Sequence, residues 1–61
     1  MRTWLIEKRK AKYRTQQELA DAMHVTRGTV HNWEAGKNLP NKSQMARLCD
    51  LLKVSPKRFY E

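Results

Sequence analysis

Apolar positions along the chain recur at helical spacing. Met45, Leu48, Cys49 and Leu52 follow i, i+3, i+4, i+7 and therefore line one face of an α-helix. Leu19, Ala20 and Met23 follow i, i+1, i+4, which predicts a shorter helix whose inner face includes a residue small enough for another helix to approach closely. Val30 and Trp33 stand three apart and face inward from a helix between these two. Trp4, Leu5 and Ile6 supply the apolar part of a first helix; Trp4 and Leu5 are the expected core anchors, and Ile6 has no assigned face. Phe59 and Tyr60 fall in a last short helix. No segment alternates as a strand does. The pattern predicts an all-α domain of five helices.

Polar residues mark where these helices begin and end. The first is expected over Thr3 to Lys12, with Lys8, Arg9, Lys10 and Lys12 at the end where the helix dipole favours cations. Thr15 reads as an N-cap, and Glu18 three residues later completes a capping box. The second helix then runs to Met23, and His24 takes the left-handed position after its end. Val25 points inward, Thr26 caps a third helix running to Ala35, and Gly36 terminates it. Asn41 with Gln44 forms a second box-like cap for the fourth helix, and Val54 packs beneath it. Ser55-Pro56 is an N-cap followed by proline at the first helical position.

Two short capped helices joined by a tight turn, over about residues 16–35, are the layout of a helix-turn-helix. The exposed positions of the second of these helices are Arg27, Gly28, Thr29, His31 and Asn32. Arg27 suits a two-bond grip on guanine O6 and N7, and Asn32 the equivalent grip on adenine N6 and N7. Thr29 offers a methyl group to thymine. The alternatives are a solvated or phosphate-bound cation for Arg27, an exposed polar residue for Asn32, and a phosphate-facing or solvated ring for His31. Gly28 costs its helix roughly 1 kcal/mol relative to alanine, a cost consistent with a backbone that must come close to DNA.

Charge fits this picture. Thirteen Lys and Arg against six Asp and Glu give a net charge of +7 in 61 residues, and the pI of about 10.1 exceeds the value of roughly 9 that marks nucleic-acid binders. The same balance also suits an anionic membrane surface. The length allows one small domain, residues 1–61, burying only roughly 60% of its unfolded surface, so an oligomer contact would add useful burial. A single cysteine, Cys49, forms no internal disulfide, which fits a reducing cytoplasm. No apolar run approaches the roughly 18 residues of a membrane span. His24, His31 and Cys49 lack metal-ligand spacing, the acids are scattered, and no glycine-rich phosphate loop occurs. Neither an enzyme, a cofactor, a metal nor a small-molecule substrate is expected.

Several spaced residues together carry a family likeness: Arg9, Thr15-Gln16-x-Glu18-Leu19-Ala20, Val25-Thr26, Val30, Trp33-Glu34-x-Gly36-Lys37-x-x-Pro40, Leu48, Leu52 and Val54-Ser55. The chain resembles the single-domain regulators of the phage-repressor and Cro type, the XRE helix-turn-helix family, along nearly its whole length. The resemblance implies a compact lambda-repressor-like fold. It also implies that Gln16 contacts phosphate and braces the recognition helix, with Gln17 beside it, and that Thr26 contacts phosphate as well as capping. Arg27, Gly28 and Asn32 fall where the family reads bases, with Thr29 and His31 adjacent. Arg9 and Glu34 would form an ion pair, and Lys37 and Asn38 would approach the DNA backbone. The chain departs from the family pattern at His24 and Lys53, where glycine is usual, and at Arg14 and Lys42, where an apolar residue is common.

The expected function is a sequence-specific regulator, a small repressor that binds double-stranded DNA as a homodimer on a palindromic operator. It would act in the cytoplasm of a bacterial or phage-infected cell, at the nucleoid. Leu51, Phe59 and Tyr60 are the candidate dimer residues; Phe59 is expected inward and Tyr60 shared with the partner. Two alternatives stay open: an antitoxin-like, partner-binding module, and an accessory DNA-binding protein of recombination.

Overall fold

The computed structural model describes all 61 residues. Four α-helices, α1 (Thr3–Lys10), α2 (Gln16–Met23), α3 (Arg27–Ala35) and α4 (Lys42–Leu52), are followed by a short 3₁₀ helix, Pro56–Tyr60. The all-α class holds, with a corrected count: the fifth element is a 3₁₀ turn and not an α-helix. Pro56 starts it, and Arg58 N–H closes on Ser55 C=O at 3.1 Å, the i to i+3 bond of the tighter helix. α1 also stops two residues short of Lys12. There the chain tightens, and Arg9 C=O accepts from both Lys12 N–H at 2.9 Å and Tyr13 N–H at 2.6 Å.

The caps form as the sequence predicts. Thr15 Oγ1 accepts from Glu18 N–H at 3.1 Å while Glu18 Oε1 accepts from Thr15 N–H at 3.4 Å. Asn41 and Gln44 make the same reciprocal pair, at 2.8 and 2.9 Å. α2, α3 and α4 share one mode of ending, with a left-handed residue at His24 (φ 58°), Gly36 (φ 83°) and Lys53 (φ 57°). In each, the following N–H reaches back to the last turn: Val25 to Ala20 C=O at 3.0 Å, Lys37 to Asn32 C=O at 3.0 Å and Val54 to Cys49 C=O at 3.1 Å. These bonds satisfy carbonyls that a helix end leaves without partners.

Eleven buried residues form one core: Leu5, Leu19, Ala20, Met23, Val30, Trp33, Met45, Leu48, Cys49, Leu52 and Phe59. Each large side chain fully buried here stabilises the fold by roughly 1.5–3 kcal/mol. α2 and α3 pack against each other, and Ala20 of α2 is fully buried in the core. Trp4, Val25, Leu51 and Val54 pack partly against the core. Ile6 is half-buried outside it. α1 has no side-chain cap, so its position rests on Leu5 and Arg9 in the interior.

The C-terminal turn is fastened by aromatic contacts. Phe59 stacks edge-on against Trp4, with centroids 5.0 Å apart and planes at 78°. Arg2 lies 5.3 Å from the centre of the Phe59 ring, and Arg58 lies 4.8 Å from that of Trp4. Phe59 is thereby consumed inside the domain at 7% exposure.

Candidate nucleic-acid interface

Thr26 fixes the start of α3. Its Oγ1 accepts from Thr29 N–H at 3.2 Å and lies 2.9 Å from Thr29 Oγ1. Val30 and Trp33, both almost fully buried, anchor one face of the helix in the core. Since an α-helix turns through 3.6 residues, the intervening positions must face outward. Arg27, Gly28 and His31 are exposed, and Thr29 and Asn32 are half-buried. All five residues proposed from sequence to read bases thus share the accessible side of one helix.

A polar network beneath this helix sets its position. Arg9 Nε donates to Glu34 Oε2 at 2.5 Å, with both side chains nearly sealed from water. The other carboxylate oxygen, Oε1, accepts from Gln16 Nε2 at 2.9 Å. Arg9 Nη1 reaches Tyr13 C=O at 3.2 Å and Arg14 C=O at 3.0 Å. One carboxylate on α3 therefore ties together α1, the loop before α2 and the first residue of α2. Gln16 is thus bonded to α3, and its second amide hydrogen remains unused. Full pairing is what a buried ion pair needs to persist, and no buried side-chain nitrogen or oxygen in the protein lacks a partner.

The remaining phosphate candidates lie at the edges of this frame. Gln17 turns its amide along α2 to Asp21 Oδ1 at 2.8 Å. Lys37 and Asn38 are exposed in the loop that leaves α3. Arg2 holds that loop. Arg2 Nη1 donates to Trp33 C=O at 2.6 Å and to Asn38 C=O at 3.0 Å, and Arg2 N–H donates to Glu34 C=O at 2.7 Å. A cation at a helix C-terminus also meets the negative end of the dipole. Nothing in periodicity marks Arg2, because its partners are backbone carbonyls more than 30 residues away.

Of the dimer candidates, Tyr60 is 70% exposed. Leu51 is half-buried against the core, and its carbonyl accepts from Lys12 Nζ at 3.0 Å. Burial pushes the Cys49 thiol above its ordinary pKa. No helix is long and apolar enough to cross a membrane.

A capped pair of helices across a tight turn, with polar side chains projecting from the second, defines a helix-turn-helix domain. A family model described as helix-turn-helix matches residues 5–59, and the chain belongs to that family, in its XRE form. As a member it is a DNA-binding regulator. Comparison with curated proteins and with solved structures gave no match.

Proposed function

We propose that the protein is a sequence-specific transcriptional regulator, a small repressor that inserts α3 into the major groove and binds a palindromic operator as a homodimer. The observation that carries this reading is the outward face of α3. Arg27, Gly28, Thr29, His31 and Asn32 are grouped there on a helix braced from below by Glu34, Arg9 and Gln16. Arg27 reads guanine, Asn32 reads adenine, and Thr29 meets a thymine methyl. Gln16, Thr26, Lys37 and Asn38 hold phosphates and set the register, with Gln17 contributing its remaining amide hydrogen.

The dimer follows from size. A single module of this kind offers DNA roughly 600–1,000 Å², and two-fold pairing multiplies that on a symmetric site. Leu51 and Tyr60 are the residues proposed at the contact. Half-sites then lie one helical turn apart, roughly 34–36 Å, and repression results from occupancy of a promoter. The partner-binding alternative depended on an apolar patch at Leu51, Phe59 and Tyr60, and the burial of Phe59 leaves it little support.

The experiment is selection of bound duplexes from a random DNA pool at near-physiological salt, followed by sequencing. A palindromic motif with half-sites one turn apart is expected. Enrichment of no motif would overturn the sequence-specific reading.

A further inference from the structure

We propose that Arg14 is a phosphate-binding residue of the DNA interface, registered to the recognition helix through Arg9 and Glu34; this rests on the DNA-binding reading above. Its backbone is pinned from both sides. Arg14 N–H donates to Glu18 Oε1 at 2.6 Å, and its C=O accepts from Arg9 Nη1 at 3.0 Å. The same Arg9 guanidinium holds Glu34 of α3 through Nε at 2.5 Å. Glu34 also holds Gln16, so Arg14 and Gln16 hang from one carboxylate of the base-reading helix.

The guanidinium itself is uncommitted. Arg14 is exposed, and its side chain makes neither a hydrogen bond nor an ion pair. Glu18 Oε1 already accepts the backbone N–H groups of Arg14 and Thr15. Three arginines are committed within the fold, Arg2 to the Trp33 and Asn38 carbonyls, Arg9 to Glu34, and Arg58 to Trp4 and Glu61; Arg47, exposed on α4, lies outside the helix-turn-helix. Within residues 14–38 the only Lys and Arg are Arg14, Arg27 and Lys37. With Arg27 reading a base, Arg14 before α2 and Lys37 after α3 bracket the helix-turn-helix at its two ends. A planar guanidinium on a fixed backbone suits a phosphate, which it can grip with two parallel hydrogen bonds. Pinning also lowers the ordering cost of binding.

The test measures affinity of the full chain for its selected operator and for a random duplex of equal length, across a salt series, for the parent, Arg14→Ala and Arg14→Lys. One phosphate contact to B-form DNA contributes a slope of about 0.9 in log K against log salt. Arg14→Ala is expected to lose that increment on both duplexes, so the advantage of the parent shrinks about 3.5-fold between 50 and 200 mM salt. Arg14→Lys is expected to keep the slope. The melting temperature is expected to hold in both variants, because no intramolecular partner is lost. An unchanged slope in Arg14→Ala, or a loss confined to the operator, would overturn the assignment. Failure of the underlying reading has a different signature: the parent itself would show no salt-dependent affinity for DNA.

Discussion

Arg9 Nε and Glu34 Oε2 meet at 2.5 Å with side-chain exposures of 6% and 3%, directly behind the face of α3 that carries the candidate base readers. Breaking such a pair from one side leaves a buried charge without its counter-charge, which costs about 3–5 kcal/mol. Domains are stable by only about 5–15 kcal/mol, and a chain this small belongs near the lower end. Arg9→Ala and Glu34→Ala are therefore each expected to shift urea unfolding close to the point of no folded baseline. The double replacement Arg9→Met/Glu34→Leu is expected to recover much of the loss, since no lone charge remains. A single-variant loss below about 1 kcal/mol would contradict the role given to the pair.

At Gly28 the stability of the fold and the proposed function can be separated. It lies in the first turn of α3 with ordinary negative φ, and a Cβ added there meets only Thr26 Oγ1, at 3.9 Å. The fold does not require glycine at this point. Gly28→Ala is expected to stabilise the free domain by about 1 kcal/mol, measured by thermal melting, while weakening operator binding where the backbone approaches a base edge. A variant that gains stability and keeps full operator affinity would remove Gly28 from the interface.

Arg27→Ala and Asn32→Ala are expected each to cost about 1–3 kcal/mol on the preferred operator. Each should also relax the selected motif at a single position per half-site. Repeating the duplex selection with each variant reads this directly. Equal losses on random DNA would reassign the residue from bases to phosphates.

His24 and Lys53 occupy left-handed backbone at φ 58° and 57°, a conformation that crowds any Cβ against the neighbouring carbonyl. His24→Gly and Lys53→Gly are each expected to stabilise the domain by about 0.5–1 kcal/mol, the relieved strain exceeding the greater freedom of glycine in the unfolded chain. Their effects should add, because they end different helices. Denaturant midpoints measured on both single variants and the double variant check the sign and the additivity.

The Cys49 thiol gives an alkaline signature. Burial raises its pKa in the folded state, so as pH rises the unfolded chain releases this proton first. The contribution is fully present below the ordinary thiol pKa and is lost as pH climbs toward the raised folded value. As pH rises past the ordinary thiol pKa of about 8.5, the parent is expected to lose stability more steeply than Cys49→Ala, even though that variant starts lower because of its cavity. Parallel slopes would show that the thiol titrates alike in both states.

By itself the sequence determined the helices, their starts and their inner faces. These depend on spacing within one turn and on caps that bond to residues three positions away, as Thr15 does to Glu18 and Asn41 to Gln44. It also determined which side of α3 is outward, because Val30 and Trp33 leave no other side. Interactions that span the chain were decided by the tertiary structure alone. Arg2 closes the C-terminus of α3 through carbonyls 31 and 36 residues away, and no local pattern records an acceptor that is backbone. Phe59 was expected inward, but that Trp4 meets it edge-on and Arg2 lies over its ring could be seen only in the fold. The last helix became 3₁₀ because its five residues close on Ser55 with little room for a wider turn. Arg14 stands at the same boundary: its charge is plain in the sequence, and only the fold shows that the guanidinium of Arg9 holds both the Arg14 carbonyl and Glu34 of α3.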